Sequence, residues 1–482
     1  MRHSKKCQKC AESIDSIYGL NTINVSSFLP QGQQKEINNL VEKIDLSNYE
    51  NSSVYKGKDF KNVALYLVIL KYKLKQNKIK NNEQLNYFKN ELLNCIRSYE
   101  CGINLREYYK SDILIAYNMQ YGVNNSFYMG YKHEELRVYT MNGSNNNYYK
   151  HSLIRFWDWE KHGLVSPAKF HWDQFNTDEV SKKYSFIVKK HVKTLYEAKS
   201  PFVYSVKKQG RSFKEHELKK FQNVALLTMS SFDESLAART IGAFPESKTQ
   251  SNIFSSQLEW VDYTIKFFID NPKNALIIRI HPREINNKRE NKISEHYSEM
   301  SKYFKNLKSE ENIYINYPQD KISFYDLIEQ VDFVISNTSV TVIESLYHNK
   351  PVVVYDNEMS NYPDSILHTG KNRNDYIQNL NYMFDNSNPD TRENAIKWWS
   401  FKQGFGNLKL KYNFHYTFLF RAIRKTILII NIDYFFVWFN KIELKLYILE
   451  NNSKNKLIEC LTKGLDNLYN KKINENIKFL KK

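Results

Sequence analysis

The stretch from Val331 to Asp356, VDFVISNTSVTVIESLYHNKPVVVYD, admits few folds. Val331–Ser336 is an apolar run ending on a small polar residue. Asn337, Thr338 and Ser339 are residue types that start helices, because a short side-chain oxygen accepts from a free backbone N–H. Val340–His348 continues at helical spacing, and Asn349-Lys350-Pro351 stops it. Pro351–Tyr355 is a β-branched run with the length of a buried strand. Strand, helix and strand predict a βαβ unit. In open α/β sheets, ligands sit at the carboxyl ends of the strands. Here that end carries Ser336, Asn337, Thr338 and Ser339. Free N–H groups, the positive helix end and hydroxyls suit a phosphate. The same residues also serve as plain helix caps. Thr341 and Glu344 share a helix face, and Glu344 can accept hydrogen bonds from ribose hydroxyls.

A second motif lies upstream. Ala275–Ile280, ALIIRI, reads as a buried strand, and His281-Pro282 ends it. The residue before a proline avoids the helical region, so His281 is expected extended at the strand tip. Arg279 and Arg283 flank it. A histidine between two arginines at that place suits an anion or a leaving phosphate.

Together, IRIHPRE and SNTSVTVIESLYHNKPVVV resemble the nucleotide-binding half of bacterial capsule and lipopolysaccharide glycosyltransferases, among them Kdo transferases and polysialyltransferases. The resemblance spans roughly 223–357. It implies an α/β chain of GT-B type, two Rossmann-like domains facing a cleft. It also implies that His281 contacts the donor phosphate or base, that Ser336, Thr338 and Ser339 hold phosphate, and that Glu344 touches ribose. Asp320, ahead of a helix predicted at Ser323–Gln330, falls in the usual region for base contacts. The family often has an acidic residue near the end of a first-domain strand. Asn142 stands there in this chain, which leaves the general base unassigned.

At 482 residues the chain is expected to hold two or three domains. The expected divisions are an acceptor-side Rossmann-like domain over 1–205, a nucleotide-sugar domain over 206–395, and a helical extension over 396–482. In the first, helices are predicted at Lys61–Gln76, Asn82–Cys101 and Gln120–Lys132, with strands at Asp112–Asn118 and Leu136–Met141. The aromatic run around Phe156, Trp157, Trp159 and Phe170 is expected to pack between elements more than to stack on sugars. In the second domain, Val224–Met229 is predicted as a strand with Ser231, Asp233 and Glu234 beyond its carboxyl end. Trp398 and Trp399 are expected to mark a helix returning to the first domain.

The net charge of +18 fits nucleic acid, an acidic polymer or an anionic membrane surface. No recognised nucleic-acid motif accompanies it, so nucleic acid is not an expected partner. Phe414–Glu450 mixes basic residues with Trp and Phe. It is interrupted by Asn431 and Asp433, too short an apolar run to span a bilayer, and suits either a membrane interface or a helical core. Five cysteines, an odd number, argue for a reducing compartment. The basic N-terminus lacks an apolar signal core. These points predict a cytoplasmic protein, peripheral at the inner membrane face. Cys7 and Cys10 form one CxxC, short of the ligands a zinc site needs. Neither a metal nor a resident cofactor is expected.

The expected function is metal-independent transfer of a sugar from a nucleotide-activated donor, CMP-linked donors being candidates, to a growing surface polysaccharide or lipopolysaccharide. Two alternatives remain at this stage. One is transfer of a phosphoglycerol-type group from a CDP donor. The other is a non-catalytic binder of nucleotide sugars or acidic polymers.

Overall fold

The computed structural model describes residues 23–143, 153–165, 167–175, 177–199, 203–244, 253–287, 291–305, 307, 310–337, 339–356, 361–386, 390–402 and 408–409. Thr338, Cys7, Cys10 and the basic aromatic segment 414–450 lie outside these residues.

Strands β1 (Val54–Tyr55) and β2 (Lys58–Asp59) form a small hairpin. Its two turn residues, Lys56 and Gly57, both have positive φ, as a tight hairpin turn requires. A four-stranded sheet follows, built from β3 (Ile113–Tyr117), β4 (Arg137–Gly143), β5 (Leu153–Asp158) and, from the far end of the described chain, β12 (Leu408–Lys409). Its order is β12-β5-β4-β3. Only β3 and β4 run parallel, while β5 is antiparallel to both neighbours. The expected strand–helix–strand is present, with β3 and β4 parallel around the helix Gly122–Tyr131, and β5 and β12 extend it into a mixed sheet.

The larger sheet has six strands: β6 (Asn223–Thr228), β7 (Asn274–Arg279), β8 (Ile313–Asn316), β9 (Phe333–Ser336), β10 (Val352–Val354) and β11 (His368–Thr369). The order is β11-β10-β9-β6-β7-β8, and every pairing is parallel. The chain is thus α/β, as the βαβ pattern predicts. Alternate residues of β6 and β7 enter two separate cores. Val224, Leu226, Ala275 and Ile277 pack on one face with the helices Asp178–Tyr196, Thr341–Tyr347 and Arg392–Ser400. Ala225, Leu227, Leu276 and Ile278 pack on the other with Gln257–Ile269, Glu295–Lys305 and Arg373–Asp385. Burial on both faces explains why these strands read as unbroken apolar runs.

Two placements differ from expectation. The helix Asp178–Tyr196 packs in the core of the larger sheet, although the division at 205 put it with the first unit. Trp398 and Trp399 are buried in that same core, so their helix stays on the larger sheet. The return to the first sheet is made instead by β12 beside β5.

The first unit's core is mainly helical, from Gln31–Glu42, Lys61–Tyr72, Asn82–Tyr108 and Gly122–Tyr131. The last two helices touch backbone to backbone. A Cβ on Gly130 would lie 2.1 Å from the Tyr99 carbonyl oxygen, so only glycine fits. Ala237, Ala238, Ile241 and Ala243 join this core from beyond β6, so the two units share apolar packing. A buried polar tie reinforces it. Lys73, just past Lys61–Tyr72, donates from Nζ to the carbonyl oxygens of Arg283 (2.6 Å), Lys292 (2.8 Å) and Ile285 (3.3 Å). It is only 1% exposed. A buried ammonium that satisfies three carbonyls fixes the loop after the His-Pro turn against the first unit.

Candidate functional site

At the carboxyl ends of β6, β7 and β9 a cleft of about 530 Å³ opens on the face that carries Thr341–Tyr347. Its wall includes Arg279, His281, Ser339, Thr341 and Glu344. Five residues singled out by the sequence therefore meet in one place. The sequence reading missed Tyr204, Ser205, Thr228 and Tyr325, which also line the cleft. Tyr204 and Ser205 come from the connector before β6, a basic interrupted stretch with no periodicity to mark it. The Tyr204 ring stands 5.7 Å from that of His281, edge to face.

Arg279, the last residue of β7, is 7% exposed. Its Nη1 donates to Asn316 Oδ1 (2.6 Å) and to the Ile322 carbonyl oxygen (3.1 Å). Burial lowers its pKa to about 10, which leaves it charged at neutral pH. No carboxylate among the described residues lies at ion-pair distance from it. Glu344 is the acid that shares the cleft. Burial raises its pKa to about 8, opposed by a hydrogen bond from Tyr325 and by the charge of Arg279. At pH 7 Glu344 is thus mostly neutral. Among the described residues, the buried cation of this cleft has no direct anionic partner.

His281 is extended (φ −62°, ψ 129°), as the following proline requires. Its Nδ1 accepts from the Arg283 backbone N–H at 3.2 Å. That bond assigns the neutral tautomer with Nε2–H as donor. Burial, with Arg283, Arg279 and Lys73 nearby, pushes its pKa down to about 3. His281 therefore offers a neutral hydrogen-bond donor and not the positive charge that its arginine flanks suggested.

Four other assignments need correction. Arg283 is 2% exposed and turns away from the cleft. Its guanidinium grips both carboxylate oxygens of Asp233 and donates to Ser231 Oγ at 2.7 Å, so it serves a buried ion pair. Ser336 is fully buried inside β9, where its hydroxyl accepts from Thr228 at 2.8 Å and lies 3.4 Å from Thr341 Oγ1. It props Thr341 from below and cannot reach a ligand. Asp320 is absent from the cleft wall. Its carboxylate accepts from the Tyr317 N–H (2.8 Å) and from Asn316 Nδ2 (3.1 Å), capping a turn. Asn337 lines a second cleft on the opposite face of the sheet.

The helix itself begins at Thr341, later than the polar run suggests, with Ser339 Oγ accepting from the Thr341 N–H at 3.3 Å. Ser339 thus has a capping role and a place in the cleft wall.

The buried Glu344 carboxyl gives a pH signature. Its folded pKa lies above the unfolded value, so the folded state holds a proton that the unfolded chain releases. The folded state then binds more protons between about pH 4.5 and 8, and stability falls as pH rises through that window. Glu344→Gln should remove this slope and gain about 3 kcal/mol over wild type at pH 8 relative to pH 5. Urea melts at the two pH values check it, and parallel slopes in both proteins would contradict a buried neutral Glu344.

No family model matches the chain, and no curated protein sequence does. Among solved structures it is similar to the KpsC β-Kdo 2,7 transferase of Thermosulfurimonas dismutans, at 12% identity and a TM-score of 0.35 over 70% of this chain and 85% of that one. It is also similar to S. aureus MnaA solved with UDP, at 12% identity and a TM-score of 0.28 over 71% and 90%. A further match is a UDP-N-acetylglucosamine 2-epimerase, at 11% identity and a TM-score of 0.24 over 71% and 86%. Similarity this low says nothing of activity.

Proposed function

We propose that the cleft binds the phosphate-bearing part of a nucleotide-activated sugar and that the chain transfers the sugar to a saccharide acceptor. Arg279 carries this reading: a guanidinium buried in an open cleft, without a carboxylate partner among the described residues, favours an anion that fits there. Hydroxyls of Ser339 and Thr341 and the Nε2–H of His281 surround the same space. Donors fixed in advance around a phosphate suit the departure of a phosphate leaving group, whose charge grows as the bond to the sugar breaks. Glu344 and Tyr325 offer hydroxyl partners for a ribose on the cleft's inner wall. Capsule or lipopolysaccharide assembly at the inner membrane face is the setting this chemistry would serve. Among the described residues, no helix is long and apolar enough to cross a membrane.

Product analysis tests the reading. The purified chain is incubated with CMP-, CDP-, UDP- and GDP-linked compounds and a panel of saccharide acceptors. The expected product is a new glycosidic bond with release of nucleotide, and His281→Gln should slow it by at least ~10-fold. A new phosphodiester would identify a phosphoglycerol-type transferase instead. Nucleotide binding without any turnover would leave a binding protein.

A further inference from the structure

The second cleft, about 640 Å³, opens at the carboxyl ends of β6 and β9 on the opposite face of the large sheet. The chain passes between the two clefts twice. Met229 lines the first and Ser230 the second, and Ser339 lines the first and Asn337 the second. Phe232, Ser235 and Arg239 reach this space from one face of the helix Phe232–Thr240. Arg239 Nε donates to the Ser235 carbonyl oxygen at 3.3 Å. Among the described residues, no other hydrogen bond or ion pair holds its guanidinium. Across the cleft, Asn337 Nδ2 donates to the Tyr355 hydroxyl at 2.6 Å, while Asn337 Oδ1 is buried with no partner. Aromatic rings complete the wall. Phe254 and Trp260 lie 5.2 and 5.0 Å from the Tyr355 ring, centroid to centroid.

Among the described residues, a guanidinium with open donors, a buried amide oxygen with no donor of its own, and aromatic faces describe a complementary ligand. It carries an anion, a hydroxyl or amide N–H, and C–H faces that pack on rings. A nucleobase would stack on the rings and could accept from the guanidinium, but it brings no negative charge to neutralise it. A free anion would satisfy the cation but neither the rings nor Asn337. We infer that the second cleft is a binding subsite for an acidic saccharide, its carboxylate or phosphate on Arg239 and a hydroxyl or amide N–H on Asn337 Oδ1. The word saccharide rests on the transferase reading; the anion preference rests on the cleft alone. The subsite would give the acceptor, or the transferred sugar, its charge requirement.

Binding is measured on the full chain by saturation-transfer NMR and calorimetry with four probes: glucuronic acid, glucose 6-phosphate, glucose and inorganic phosphate. One or both acidic sugars should bind at least ~10-fold more tightly than glucose and than inorganic phosphate. Which of the two prevails separates a carboxylate from a phosphate ligand. Arg239→Gln should erase the preference. Arg239→Lys, which keeps the charge, should restore part of it. Asn337→Asp should weaken acidic-sugar binding further through repulsion. Equal binding of neutral and acidic sugars, or an unaltered preference in a folded Arg239→Gln protein, overturns the inference. Nucleotide titration of the same Arg239→Gln protein separates the two clefts. Nucleotide binding retained while acidic sugar is lost supports both readings. A wild type that binds acidic sugar but no nucleotide removes the transferase reading and leaves the subsite.

Discussion

Arg283→Ala should destabilise the protein by ~3–5 kcal/mol, the usual cost of removing one partner from a buried ion pair. Arg283 and Asp233 are each 2% exposed, and the carboxylate takes two hydrogen bonds from one guanidinium. Truncating the arginine strands Asp233 in a place water does not reach. Glu284 lies close by, with its own pKa raised to about 7 by burial and by Asp233, so it does nothing to neutralise a stranded Asp233. The loss also falls where the two units meet, since Arg283 gives its carbonyl oxygen to Lys73 and Asp233 lies in the first turn of the helix whose Ala237 and Ala238 enter the first unit's core. Thermal and urea melts measure it. The double replacement Asp233→Leu with Arg283→Met should recover most of the loss, because a buried pair can be exchanged for apolar groups at little cost. A single mutant as stable as wild type would show that the pair is not buried. A double mutant as unstable as the single would show that packing, not charge, is at stake.

The same pair shows what the sequence could not tell. Arg279 and Arg283 flank His281 alike in the sequence, yet they end in different surroundings. Arg279 is the last residue of β7 and stays at the strand's carboxyl end beside the cleft. Pro282 starts a short turn that carries Arg283 behind it to Ser231 and Asp233. A similar divergence separates Asn337 from Ser339, two residues apart and on opposite faces of the sheet. Local pattern says where a strand stops, but the path of the backbone after it decides which cleft each side chain enters.

Periodic helices and apolar strands were the legible elements, in the first unit Lys61–Tyr72, Asn82–Tyr108, Gly122–Tyr131, β3 and β4. β6, β7, β9 and the helix before β10 have apolar runs that few other folds accommodate. The helix Phe232–Thr240 was not read, because Ala237, Ala238 and the acids ahead of them give no apolar stripe of ordinary width. In the first sheet, β5 and β12 were not read either. β5 turns back against β4, and β12 arrives from some 250 residues later; neither pairing leaves a local trace. Glu344 was legible as a position but its protonation was not, since burial sets that and burial is a property of the fold.

Calorimetric titration of nucleotides into wild type and Arg279→Gln tests the central claim most directly. The claim is that the cleft holding Arg279, His281, Ser339 and Glu344 takes a nucleotide phosphate. CMP, CDP, UDP and GDP are titrated at fixed salt, with thermal melts to show that both proteins are folded. At least one nucleotide should bind wild type and raise its melting temperature, because a ligand selective for the folded state stabilises it. Arg279→Gln should weaken that binding by ~10- to 100-fold, the worth of a charge-assisted hydrogen bond to a desolvated phosphate. Ser339→Ala should weaken it less, by roughly 5- to 10-fold, while costing about 1 kcal/mol of stability as a lost helix cap. Failure of all four nucleotides to bind wild type, or equal affinity in a folded Arg279→Gln protein, would contradict the account.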